Sequence, residues 1–217
     1  SVFSSSSGNA LTLDDVGEIY ESEVLRYLFV GTRPNKSFQI SFDNDVIKIY
    51  EDFDRLEEKY FAKKADAQEK RIYELSVVDV PSKKPERESF RHLTTLVQIG
   101  EVGDLNKESK IRSEKVRNWL DKYAGEDMKF EIKSRLGKLG KVEKEIGLEI
   151  LKIVEKDLKE DEILDEVKKI PEKLNIDVKE FFEKSYNLLI GKSKGPKLVT
   201  LIYNGNDEIK KLLGDLK

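Results

Sequence analysis

The chain contains no cysteine, one histidine and one methionine in 217 residues. Disulfides and thiolate metal sites are therefore excluded, and a nucleophile–histidine–acid arrangement has only His92 to draw on. His92 has no second histidine beside it and reads as a structural, hydrogen-bonded residue. Proline is sparse, at five residues, and no apolar run approaches the roughly 20 residues of a membrane span. No pairing of a basic start with an apolar core marks a signal peptide, so a cytoplasmic, non-membrane protein is the default expectation.

What the chain does have is charge. Charged residues make up 38% of it, matching the 38% that are hydrophobic. The aliphatic residues recur at helical spacing, so the composition is that of a folded, helical protein rather than a disordered one. A Lys- and Glu-rich, Cys-free chain also suits life at high temperature. The formal net charge of −3 conceals an asymmetry. Residues 1–60 carry 6 Lys+Arg against 12 Asp+Glu, residues 61–140 carry 18 against 14, and residues 141–217 carry 16 against 17. Six of the nine arginines fall in the middle third. Local charge governs phosphate contact more than the total does, so that third is where an RNA-binding surface is expected.

The periodicity predicts a mainly α fold. A helix is expected over residues 12–31, broken near Tyr20-Glu21-Ser22, with Thr12 as N-cap and Asp14 and Asp15 in its first turn. Residues 37–42 alternate and predict a short strand. The next helix is capped by Asp43 or Asp45 and runs to about Phe61, with Val46, Ile49, Tyr50, Phe53, Leu56 and Tyr60 on its buried side. Residues 62–72 read as a charged link, and 73–79 as a strand or extended linker. Further helices are expected over 87–99, 107–124, 126–136, 141–158, 161–174, 177–190, 196–203 and 206–213, with glycines at their joints. Such lengths and short joints describe a helical bundle.

Several stretches could carry chemistry. Ser4, Ser5, Ser6, Ser7, Gly8 and Asn9 form a small polar loop just ahead of a helix start. Backbone N–H groups and hydroxyls in such a place can hold a phosphate; the same residues also read as a terminal tail. Residues 107–141 are the most basic segment, with 11 Lys+Arg against 6 Asp+Glu. On its helix Val116, Trp119, Leu120 and Tyr123 make the apolar stripe, with Trp119 expected in the core, and Arg112, Lys115 and Lys122 assigned to other faces. Guanidinium groups donate in a fork to phosphates and stack on bases, so Arg112, Arg117 and Arg135, with Arg91, are the candidate RNA contacts. Lys192 and Lys194 add charge at a glycine-rich turn that lacks the P-loop spacing. The abundant carboxylates, such as Glu57-Glu58 and Glu160-Asp161-Glu162, fall in helical runs with lysine neighbours and read as surface pairs.

Together these stretches resemble a known family. Ser4 to Asn9, residues 23–27 (Glu-Val-Leu-Arg-Tyr), 32–36 (Thr-Arg-Pro-Asn-Lys), 50–57 (Tyr-Glu-Asp-Phe-Asp-Arg-Leu-Glu), 90–99 and 189–196 (Leu-Ile-Gly-Lys-Ser-Lys-Gly-Pro) are similar to the C-terminal portion of archaeal-type class I lysyl-tRNA synthetases. In that family the motif Lys-Met-Ser-Lys-Ser-x-Gly-Asn grips ATP phosphates; here Val2 and Phe3 stand in place of its Lys and Met. The resemblance implies a remnant of the ATP loop over 1–11, a stem-contact segment over 12–66 and an α-helical anticodon-binding cage over 67–217. It also implies lysine-specific tRNA and an N-terminal Rossmann catalytic domain of the same parent chain as partners. ATP would be used by that full-length enzyme, with no cofactor held by this part. With one histidine the His-x-Gly-His motif of the Rossmann half is absent, so these residues alone are not expected to charge tRNA. A glutamyl-type class I enzyme and a helical protein-interaction module are the competing expectations.

Overall fold

In a computed structural model, residues 12–32, 40–156 and 158–216 are described. Among them the fold is all helical: eleven helices and no strand. The helices divide between two compact units. The first comprises residues 1–97 and 102–126, the second 98–101 and 127–217. Helices α4 and α6 and most of α5 thus group with the segment that precedes residue 67.

The first unit opens with α1 (Leu13–Ile19) and α2 (Ser22–Gly31). The expected break between them is present. Thr12 caps α1 through a reciprocal box with Asp15. Tyr20 and Glu21 are extended, at ψ 134° and 147°. The Tyr50 hydroxyl holds this joint by donating to the Ile19 carbonyl and accepting from the Glu21 amide, both at 2.9 Å. Helix α3 (Asp45–Phe61) buries Val46, Ile47, Tyr50, Phe53 and Leu56.

Helix α4 (Ala67–Val77) corrects the expectation of a charged link followed by an extended stretch over 73–79. Asp66 and Glu69 form a capping box that starts it, and Tyr73 and Ser76, three apart, share its buried side. Val77 and Val78 imitate a strand locally, but the capped helix packs along α2 instead. Helices α5 (Phe90–Ile99) and α6 (Lys107–Lys122) complete the unit, α5 ending in the second, and α6 lies along α1. Trp119 is fully buried, as expected, and its indole N–H donates to the Phe42 carbonyl. The strand expected over 37–42 lies mostly outside the described residues; its described part, 40–42, is not a strand. There the Ser41 and Phe42 carbonyls take bonds from Tyr20 and Trp119.

The second unit holds α7 (Lys141–Val154), α8 (Glu160–Leu174), α9 (Val178–Ile190), α10 (Leu198–Asn204) and α11 (Asn206–Gly214). Each of these follows an expected helix closely. α7 packs on α8, α9 and α11, and α10 packs on α8. The core is aliphatic: isoleucines, leucines and valines, with Phe130 and Phe181 as its buried aromatics.

The helix expected over 126–136 does not form. Residues 123–140 are non-helical, and 127–140 form an irregular strap of the second unit, turned at 127–128 and bent at 134–135 and 138. Met128, Phe130 and Ile132 alternate with charged residues, the period of an extended chain rather than a helix. Phe130 is buried, and Ile132, Leu136 and Leu139 pack against the aliphatic core. Gln98 pins the strap by accepting from the Phe130 amide at 2.7 Å and donating to the Met128 carbonyl at 3.3 Å.

Candidate nucleic-acid interface

The candidate arginines of the first unit have different fates. Arg112 is wholly buried. It spans Glu21 with Nε and Nη2 at 2.9 and 3.1 Å, Asp54 with Nη1 at 2.8 and 3.0 Å, and the Glu88 carbonyl at 3.2 Å. Its guanidinium also lies over the Tyr50 ring, 5.0 Å from the centroid. Desolvation acts to lower its pKa, but the bond and charge of Glu21 and the charge of Asp54 prevail and the net shift is upward. Arg112 is thus a structural cation on the buried face of α6, not on another face as expected.

The spacing explains this correction. Arg112 precedes Val116 by four residues and Trp119 by seven, so it shares the apolar stripe of α6 rather than another face. Lys115 and Lys122 do lie toward solvent, and both reach α1, bonding the Gly17 carbonyl and Glu18. Arg91 is exposed and pairs with Glu51. Arg117 is exposed, and its side chain bonds to none of the described residues. Arg87, not singled out above, has a buried side chain whose Nη2 donates to both carboxylate oxygens of Glu57 at 2.9 and 3.0 Å. His92 is partly buried, its Nε2 3.8 Å from Glu88.

The second unit brings other candidates together. The strap is tied to the end of α9 by backbone: the Lys133 amide donates to the Leu189 carbonyl at 2.9 Å. Side chains reinforce the tie in both directions. Lys192 Nζ donates to the Lys129 carbonyl, and Lys133 Nζ reaches the Asn187 carbonyl at 3.5 Å. The last carbonyls of a helix are its negative end, so lysine is well placed there. Gly191 ends α9 in the left-handed region at φ 71°, which turns the chain toward the strap.

The outcome is that the strap bearing Arg135 is tied to the segment just ahead of Lys192 and Lys194, nearly 60 residues on in sequence. Arg135 and Lys194 are exposed, and their side chains bond to none of the described residues. The strap carries Lys129, Lys133, Arg135 and Lys138 against Asp127 and Glu131, a local excess of positive charge. Lys133, which ties the two segments, was not among the sequence candidates; the signal for it was the alternating pattern that marks the strap as non-helical. Ser4, Ser5, Ser6, Ser7, Gly8 and Asn9 lie outside the described residues.

The rest of the surface offers little chemistry. A cleft of ≈ 430 Å³ between α7 and α8 is lined by Glu149, Lys152, Lys156, Glu166, Lys169 and Lys173. These pair among themselves: Glu149 with Lys152 and Lys173, Glu166 with Lys156 and Lys169. Among the described residues no cluster of three His, Asp or Glu side chains is placed to hold a metal, and no helix is long and apolar enough to cross a membrane.

Comparison with known proteins agrees with the sequence resemblance. The family profile described as "tRNA synthetases class I (K)" matches residues 1–79. A lysine–tRNA ligase of Borrelia garinii is 40% identical over 236 aligned residues, covering 97% of this chain and 45% of that protein. Lysine–tRNA ligases of Treponema pallidum and Pyrococcus furiosus are 37% and 32% identical, covering 90% and 92% of this chain. The chain spans less than half the length of these relatives. Along almost its whole length, the chain belongs to the class I lysyl-tRNA synthetase family.

Proposed function

We propose that this chain is the tRNA-binding portion of a class I lysyl-tRNA synthetase, and that its second helical unit meets the anticodon loop of lysine tRNA. The parent reaction would join lysine to ATP as lysyl-adenylate, release pyrophosphate, and pass lysine to the 3′ end of the tRNA. That chemistry belongs to a Rossmann domain of the parent enzyme, with Ser4 to Asn9 contributing to the ATP site. Residues 12–66 would lie along the tRNA stem, and the segments beyond would reach the anticodon. The aligned lysine–tRNA ligases support the choice of tRNA. No observation favours a glutamyl enzyme.

One observation carries the assignment of the contact surface. The Lys133–Leu189 backbone bond brings the Arg135 strap to the Lys192–Lys194 turn, and Arg135 and Lys194 keep their charges uncommitted to any described residue. A fork of N–H donors on the strap and an ammonium on the tied turn suit the phosphates of an unpaired loop. Replacing Arg135 and Lys194 together with alanine should leave folding intact, since both are exposed. Filter binding to a lysine tRNA transcript should weaken, and the slope of log affinity against log salt should flatten by about 1–2, as each lost phosphate contact removes roughly 0.7–0.9. A glutamate tRNA transcript should bind more weakly than the lysine one. Parental affinity and salt slope in the double variant would remove these residues from the interface.

A further inference from the structure

The geometry points to Phe182 as a stacking platform for an unpaired base, in the second unit, beside the lysine-bearing turn. The inference rests on the RNA-binding reading above and names the chemistry that reading leaves open. Phe182 is 38% exposed, on a face of α9 that also exposes Val178 one turn earlier. Lone exposed phenylalanines are ordinary, but this ring is mounted. It stacks on Tyr186 at 6.4 Å and 27°, and meets the edge of Phe181 at 5.3 Å. Tyr186 is fixed in turn by its hydroxyl, which donates to the Pro196 carbonyl at 2.6 Å. Gly195 presses on the same ring so closely that a Cβ there would stand 2.7 Å from it.

The ladder is bordered by cations. Lys179 lies three residues before Phe182 on the same side of the helix, and Lys194 adjoins the Gly195 contact. Both are exposed, and neither side chain bonds to a described residue. Of the nearby acids, Glu180 faces Lys184 at 3.8 Å, and Glu183 lies four residues after Lys179. A held aromatic face on a lysine-bearing surface is an arrangement by which proteins bind single-stranded nucleic acid: the base stacks and lysines meet the phosphates. An apolar protein partner would want a broader apolar surface than Phe182 and Val178 provide.

The test uses two RNA probes, the anticodon stem-loop of lysine tRNA and a fully paired duplex of equal length. Phe182→Leu keeps the apolar bulk and removes the π face; Phe182→Trp keeps a π face. Stem-loop binding should weaken about tenfold in the Leu variant, as expected for the loss of one base–aromatic stack. It should persist in the Trp variant, and duplex binding should change in neither. A 2-aminopurine in the loop should be quenched by the parent chain and much less by the Leu variant. Parental stem-loop binding by Phe182→Leu, or an equal loss for stem-loop and duplex, would overturn the proposal. If it holds while Arg135→Ala with Lys194→Ala weakens binding, only the stacking role falls. If the parent chain binds neither RNA, the RNA-binding reading fails as well.

Discussion

The two units solve the placement of charge in opposite ways. In the first, arginine and carboxylate go inside. The Arg112 and Arg87 side chains are buried against Glu21, Asp54 and Glu57, and aromatic rings surround them: Tyr50 beneath Arg112 and Phe53 beneath Arg87. In the second, the core is mostly isoleucine, leucine and valine, and the ion pairs among its described residues join lysines to glutamates toward the surface. A buried ion pair adds little net stability over an apolar contact, but it fixes which groups must meet. The first unit commits Arg112 and Arg87 to joining distant segments, since Glu21, Asp54, Glu88 and Arg112 come from four parts of the chain. The second leaves cations at the surface, where a ligand can use them. Residue type alone therefore does not say whether an arginine is open to a ligand; its position relative to the apolar stripe does.

The sharpest way to break this comparison is to exchange the roles. Arg112→Ala should destabilise the first unit by about 3–5 kcal/mol, because Glu21 and Asp54 would be left without their counter-charge. Arg135→Ala should change stability by less than about 0.5 kcal/mol, as expected for a solvated side chain. Urea unfolding followed by fluorescence of the single tryptophan, Trp119, reports on the first unit, and circular dichroism on both. Equal effects for the two variants would mean that Arg112 is not the structural cation its geometry describes.

A smaller effect sharpens the account of the second unit, where an aliphatic core must still hold one tight turn. The Cβ introduced by Gly195→Ala would stand 2.7 Å from both Ile190 Cδ1 and Tyr186 Cδ1. The isoleucine end can move, but the tyrosine ring is anchored by its bond to Pro196. We expect a loss of about 1–3 kcal/mol, in the range of core overpacking. The loss should appear in circular dichroism with Trp119 fluorescence unchanged, since Trp119 belongs to the other unit.

The sequence revealed most of the helices because caps and stripes agree. Thr12 with Asp15, Asp66 with Glu69 and Asp177 at α9 are local signals that the fold satisfies locally. The capping box at Asp66 was in plain view, yet the valines at 77 and 78 drew the reading toward a strand. The strap was missed for the reverse reason: helical neighbours on both sides masked an alternation at 128, 130 and 132. Of the contact candidates, Arg135 sits on a strap that the Lys133–Leu189 and Lys192–Lys129 bonds tie to the segment carrying Lys192 and Lys194. Those bonds are non-local, and no local pattern announces them. Arg112 could have been placed correctly by counting four residues back from Val116. Its partners Glu21 and Asp54 are 91 and 58 residues away and could not.

The units should also respond to acid with opposite signs. In the first, burial pushes the Glu57 carboxyl above its ordinary value, against the pull of Arg87 and the Tyr73 hydroxyl. The folded chain then binds this proton more readily than the unfolded chain. Between the ordinary value of 4.5 and the raised one, stability falls as pH rises. The slope for one such group cannot exceed about 1.4 kcal/mol per pH unit. In the second unit, hydrogen bonds from Lys169 and Lys156 bring Glu166 down to about 2. A depressed carboxyl favours folding at pH values above 4.5 and loses that contribution as pH falls toward 2. Because Glu166 and its lysines face solvent, this effect should be the smaller one and should shrink in salt. Glu57→Gln should flatten the dependence of the Trp119 unfolding midpoint on pH above 4.5, and Glu166→Gln should flatten the acid limb seen by circular dichroism at low salt. If Trp119 instead reported rising stability across the window above 4.5, Glu57 would be an ordinary ion-paired carboxylate. The contrast between a unit that buries its charges and one that displays them would then rest on Arg112 alone.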